Sequence, residues 1–264
     1  MRAKLLLLVT ITALAIAAHA DTWNKRYSVS GVPSLYMKTG DGNVRVTSTD
    51  ASEITVRVTT DGYRLASDDV TIEESQSGAS VRIEVRVPHG NHWCIGYCHR
   101  SIELEVSVPR KSNLDLNTSD GNIDVERVAG DLRFHTSDGK MGLHDLDGSL
   151  VATSGDGHIE ADGRFDRLDL HSGDGHIDAD ARTGSRIASS WSLRSGDGSV
   201  SLRVPADLGA DLDATTGDGS VTVDMPITVE SGRMGRNRVH GRINGGGGLL
   251  EMHTGDGSIH VSRS

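Results

Sequence analysis

Leu150-Val-Ala-Thr-Ser-Gly-Asp-Gly-His-Ile-Glu-Ala161 is followed, eighteen residues on, by Leu168-Asp-Leu-His-Ser-Gly-Asp-Gly-His-Ile-Asp-Ala179. The Asp-Gly pair at the centre of each stretch recurs in the same context with its aspartate at Asp41, Asp120, Asp138, Asp156, Asp174, Asp197, Asp218 and Asp256. Numbered outward from that Asp, position −2 is always a hydroxyl residue (Thr39, Thr118, Thr136, Ser154, Ser172, Ser195, Thr216, Thr254). Position −1 is Gly or Ser, and +1 is Gly. Positions −6, −4, +3 and +5 are apolar in every copy, while the interleaved −5, −3, +2 and +4 are polar or Gly except for Tyr36 and Val151. Strict alternation on both sides of a turn is the pattern of half-buried strands.

The spacing of the aspartates selects the architecture. Successive gaps are 79, 18, 18, 18, 23, 21 and 38 residues. A constant 18 implies that each unit repeats the last and stacks on it, so that equivalent strands run parallel about 4.8 Å apart. This predicts an all-β, parallel β-solenoid with coils of about 18–23 residues. The competing arrangement is a row of hairpins closed by Asp-Gly turns, which would make a meander or barrel. Two features favour the solenoid: like residues recur at like positions, and the −2 hydroxyl is placed to bond a neighbouring coil. At the turn, Gly is expected to take positive φ and Asp to bond its own backbone two residues on. The gap of 38 approximates two coils with one turn motif missing.

The N-terminal third departs from the repeat. From Ser48 to Ser107 the turn motif is absent, but 54–58, 81–87 and 102–106 still alternate. These are expected to form an irregular β-rich cap. The boundaries read as a signal peptide over 1–20, a cap with the first repeat over 21–110, and the solenoid over 111–264. The last two form one continuous domain with a soft boundary near Pro109. Residues 231–248, rich in Gly and Arg, read as a loop inserted between the last two rungs.

Arg2 and Lys4, the apolar run from Leu5 to Ala18 and the small-x-small site Ala18-His19-Ala20 have the form of a secretory signal. The run is shorter than the ~20 residues of a spanning helix. Removal of Arg2 and Lys4 takes the formal charge from −10 to −12. A periplasmic or secreted location is expected, with no membrane span after cleavage. The acidic balance argues against nucleic acid as a partner, since phosphate binding needs a basic stripe. Glycine is 32 of 264 residues against only 5 prolines, without a Gly-X-Y period, which excludes collagen.

Three groups of residues invite chemistry. His89, His92, Cys94, Cys98 and His99 could ligate zinc or copper; alternatively Cys94 and Cys98 form a local disulfide, which an oxidising compartment favours. The Asp-Gly turns offer one carboxylate per coil, too few for the six to eight oxygens of Ca²⁺, and read as structural. Asp124, Glu126, Glu160, Asp162, Asp178 and Asp180, at +4 and +6, would stack on one face. Paired carboxylates there could cleave glycosides, but the outward columns offer only Tyr36 as an aromatic platform, and a solvated binding face is preferred. His158 and His176 at +2, and His135 and His171 at −3, read as surface residues.

The signal peptide, the irregular β-rich start, the lead-in Val106-Ser107-Val108-Pro109 and the tandem Ser-Gly-Asp-Gly-x-Ile units resemble a bacterial adhesin-like family of envelope β-strand repeat proteins, a domain of unknown function. The match spans roughly residues 33–262. The resemblance implies a right-handed parallel β-helix and brings no catalytic residues or cofactor. The resulting reading is a non-enzymatic, envelope-associated structural or binding module, with an unidentified envelope component or surface ligand as partner. The alternatives are a β-helix polysaccharide-active enzyme using the acidic face, and a metal-binding envelope protein using the 89–99 cluster. The intact mass of the exported protein should correspond to a chain beginning at Asp21; a mass that includes Met1 would refute cleavage.

Overall fold

The computed structural model describes residues 20–63, 65, 70–87 and 100–264, without the side chains of Ala20 and residues 230–234. The expected signal peptide therefore lies outside the described residues, apart from Ala20. The described regular structure is entirely β. The first third holds β1 (Ala20–Ser28), β2 (Ser34–Thr39), β3 (Asn43–Thr49), β4 (Glu53–Asp61), β5 (Thr71–Ser77), β6 (Ser80–Arg86) and β7 (Ser101–Pro109). The middle holds β8 (Asn113–Asn117), β9 (Ile123–Glu126), β10 (Ala129–Thr136), β11 (Met141–Ser154), β12 (Ile159–Ser172), β13 (Ile177–Ala181), β14 (Ser190–Ser195) and β15 (Val200–Val204). The last part holds β16 (Ala210–Thr216), β17 (Val221–Asp224), β18 (Ile227–Gly235), β19 (Arg238–Ile243), β20 (Gly248–Thr254) and β21 (Ile259–Arg263).

Pairing between coils is parallel and in register, which settles the choice between solenoid and hairpins. Leu35, Leu114, Leu132, Leu150, Leu168, Trp191, Leu250 and Leu212 form one buried column on the strands entering the turns. Val44, Ile123, Met141, Ile159, Ile177, Val200, Ile259 and Val221 form the matching column on the strands leaving them. Burial of these side chains supplies the main driving force, at roughly 1.5–3 kcal/mol for each large aliphatic group.

The −2 hydroxyls, Thr39 excepted, bond the adjacent coil as their position suggested. Thr118 Oγ1 donates to Gly40 O at 2.7 Å, Ser172 Oγ to Gly157 O at 2.9 Å and Ser195 Oγ to Gly175 O at 2.8 Å. The roles expected of Gly and Asp are corrected. No +1 glycine has positive φ. Each is required because coils approach there: a Cβ on Gly157 would lie 1.8 Å from Gly139 O, and one on Gly139 would lie 1.9 Å from Gly121 O. The turn aspartates are exposed, and their carboxylates accept no hydrogen bond among the described residues.

The order of the coils also differs from the sequence order. β14 and β15 pair with β20 and β21, which in turn pair with β16 and β17. The Asp256 coil thus sits between those of Asp197 and Asp218. The 38-residue gap holds no motif-less coil, and 231–248 is not simply a loop. β18 and β19 form an antiparallel pair, and β19 runs antiparallel along β16, covering that edge of the last coil. β17 pairs only with β21 among the described strands, and Val221 and Val223 are half-buried where their counterparts in other coils are buried.

At the opposite end the Asp41 coil is enclosed in the same way. β2 lies between β6 and β8, and β3 lies between β7 and β9. Beyond β7 come β4 and then β1, both antiparallel, and β5 runs antiparallel along β6. Side chains join the outer strands β1 and β5. Lys25 Nζ donates to Glu74 Oε1 at 2.8 Å, Gln76 Nε2 to Ser28 O at 2.9 Å, and the Tyr27 hydroxyl to Glu74 Oε2. Hydrogen bonds from Lys25 and Tyr27 lower the Glu74 carboxyl below its ordinary range. Burial, with the Glu74 contact added to it, pushes the Tyr27 phenol well up.

Two expectations follow. Gly157→Ala should cost about 3 kcal/mol or more, because backbone on both coils would have to move, whereas the outward Arg133→Ala should stay within about 0.5 kcal/mol; chemical denaturation checks both. Glu74 has a lowered folded-state pKa, so its contribution is present above the unfolded carboxyl range and is lost as pH falls through the folded value. Glu74→Gln should therefore destabilise the protein by about 1 kcal/mol at neutral pH, and the difference from wild type should shrink as unfolding is measured towards pH 3.

Candidate binding face

Outward positions on the strands leaving the turns build the acidic face. Alternation points +4 and +6 away from the core. Parallel register sets Glu160 beside Asp178, and Asp162 beside Asp180. These four line a surface groove of about 510 Å³ with His158, Arg182, Ser201 and Arg203. With four carboxylates against two guanidinium groups, its formal charge is −2.

The carboxylates differ in their engagement. Asp180 takes Arg203 Nε at 3.0 Å. Asp162 accepts from His144 Nδ1 at 2.8 Å, from the Asp145 N–H at 3.2 Å and from Arg182, which also reaches Asp145 at 2.6 Å. His158 Nε2 lies 3.5 Å from Asp178. Glu160 has no ion pair among the described residues and is exposed. Exposed pairs of this kind contribute little to stability individually; their effect is to hold a patterned charge on a rigid surface.

The six expected face residues do not form one site. Gly142 occupies +4 between Asp124 and Glu160, and with no side chain there the carboxylate column is broken. Asp124 instead faces Arg45 at 4.0 Å, beside a cavity of about 140 Å³ bordered by Glu103 and Glu105. Glu126 is exposed and lines neither space.

The +2 column has a role that the sequence reading missed. Asn43 Oδ1 accepts the Asn122 N–H at 3.0 Å, Asn122 Oδ1 the Lys140 N–H at 2.9 Å, and His176 Nδ1 the Ser199 N–H at 2.9 Å. These side chains satisfy backbone donors of the next coil, and accepting at Nδ1 leaves Nε2 to carry the His176 ring proton. The recurrence of Asn, His and Ser at +2 is the signal that could have revealed it. The His158 and His176 rings meet edge to face with centroids 6.3 Å apart. His135 and His171 are exposed and separated in register by Thr153.

His89, His92, Cys94, Cys98 and His99, with both the metal and the disulfide readings placed on them, lie outside the described residues. Among the described residues no group of three or more His, Cys, Asp or Glu side chains is arranged to hold a metal ion, and no helix is long and apolar enough to cross a membrane.

Stacked coils with a patterned polar exterior define a β-solenoid repeat protein. The chain belongs to the Toastrack DUF4097 family, whose model matches residues 32–164 and again 147–262. No curated protein matches it. Similar solved structures include a candidate cell adhesion protein from Clostridium sporogenes, 13% identical, covering 93% of this chain and 100% of its own with a TM-score of 0.41. A candidate lipid binding protein from Parabacteroides distasonis is 15% identical, covering 91% of this chain and 96% of its own, with a TM-score of 0.45. A candidate adhesin from Bacteroides fragilis is 10% identical, covering 92% and 97% respectively, with a TM-score of 0.35.

Proposed function

We propose that the chain is an exported, non-catalytic binding module of the cell envelope that presents the Glu160–Asp180 groove to a positively charged envelope component. The observation that carries this reading is the engagement of the groove carboxylates. Hydrolysis by a carboxylate pair needs one group held protonated in an apolar pocket beside one held ionised. Here Asp162 and Asp180 each hold an arginine, Asp178 faces a histidine, and Glu160 points into solvent. None of the four thus stands alone in an apolar pocket. A rigid surface of net negative charge attracts cationic partners with an affinity that falls as salt rises.

Retention of the wild type on an immobilised envelope fraction should weaken steeply between low and physiological salt. The Glu160→Gln, Asp178→Asn double variant should bind about tenfold more weakly with an unchanged unfolding transition. A panel of polysaccharides should remain uncut. Salt-independent retention would overturn the electrostatic reading, and cleavage lost on Glu160→Gln would establish an enzyme instead.

A further inference from the structure

Asp-Gly is the peptide linkage most open to isomerisation through a cyclic imide, because glycine leaves its own nitrogen unshielded. The backbone nitrogen of Gly attacks Cγ of the preceding Asp. The N–Cγ bond forms, the Cγ–O bond breaks, and the amide hydrogen leaves with the carboxyl hydroxyl as water. Water then adds at the main-chain carbonyl carbon of the imide, breaks its bond to nitrogen, and the chain runs on through Cγ as isoaspartate. No oxidant or other reactant is needed. An exposed Asp-Gly repeated at eight turns multiplies this hazard.

The turn geometry bears on the attacking atom. In six copies the glycine N–H donates to the −2 hydroxyl of its own turn: Gly121 to Thr118 at 3.2 Å, Gly139 to Thr136 at 3.1 Å, Gly157 to Ser154 at 2.9 Å, Gly175 to Ser172 at 3.0 Å, Gly198 to Ser195 at 3.0 Å and Gly219 to Thr216 at 3.2 Å. The same hydroxyls donate to carbonyls of the adjacent coil. The nitrogen is thereby fixed on a hydroxyl that is itself anchored, and it reaches Cγ only if the turn opens locally. Two copies lack this bond. Thr39 Oγ1 is buried without a partner among the described residues. Thr254 Oγ1 donates to Gly198 O at 2.7 Å, but the Gly257 N–H does not reach it.

We propose that the −2 hydroxyl protects the Asp-Gly linkage from isomerisation, and that Asp41 and Asp256 are the modification sites of this repeat, where isoaspartate accumulates as the folded protein ages. Peptide mapping after prolonged incubation at neutral pH and 37 °C tests it. Isoaspartate should appear at Asp41 and Asp256 several-fold faster than at the six clamped aspartates, and the difference should vanish in denaturant. Ser172→Ala should raise the rate at Asp174 several-fold while Asp138 holds its rate, and Ser172→Thr should restore protection. Equal rates at all eight sites in the folded wild type would overturn the proposal. So would a rate at Asp174 unmoved by Ser172→Ala, or one that rises equally at every turn, which would mark general loosening instead.

Discussion

The closeness of one coil to the next at the turn governs the rest of the structure. The +1 glycines of neighbouring coils, Gly42 excepted, are packed so tightly that the missing Cβ would lie 1.8–2.3 Å from the carbonyl oxygen of the adjacent glycine in the stack. That approach lets a single hydroxyl at −2 reach both its own turn and the neighbouring carbonyls. It also sets the registers of both interior columns, since a slip at the corner would carry every apolar side chain on the following strand to the wrong face. Leucine over leucine and isoleucine over isoleucine are thus consequences of a corner that admits one stacking geometry.

Much of this was legible in the sequence because a solenoid writes its contacts as a period. Apolar alternation gave the strands, and the recurrence of Leu132, Leu150 and Leu168 at equal spacing gave the parallel stacking. The role of glycine was not legible, since a demand for positive φ and a demand for close approach both select the same residue. Coil order at the C-terminal end was equally hidden. Leu212 and Leu250 are identical at −6, and Val221 and Ile259 are equivalent at +3. Nothing in the two copies states which faces Trp191; that is decided by the hairpin of β18 and β19, whose edge pairs with β16.

The register of the acidic columns was legible only in part, for a related reason. Parallel register guaranteed that Glu160 and Asp178 would be neighbours, and Asp162 and Asp180 likewise. Gly142 was visible at +4 in the intervening coil, yet treating the column as continuous joined Asp124 to residues on the far side of it. The Lys25–Glu74–Tyr27 seam had no signal at all. It joins strands that share no repeat, and it exists because two edges left over by the cap meet at one end of the stack.

The place of the final coil bears on how the chain comes together. Residues 248–263 fill a slot whose two walls, the Asp197 and Asp218 coils, are both made earlier in the chain. A chain still lacking those residues has no strand to join β14 to β16 or β15 to β17. Growth of the stack from the N-terminal end can therefore run in step with synthesis as far as Asp197 and must then wait. Residues 248–263, made after both of those walls, act as a keystone: their arrival closes the ladder between β14 and β16 and between β15 and β17.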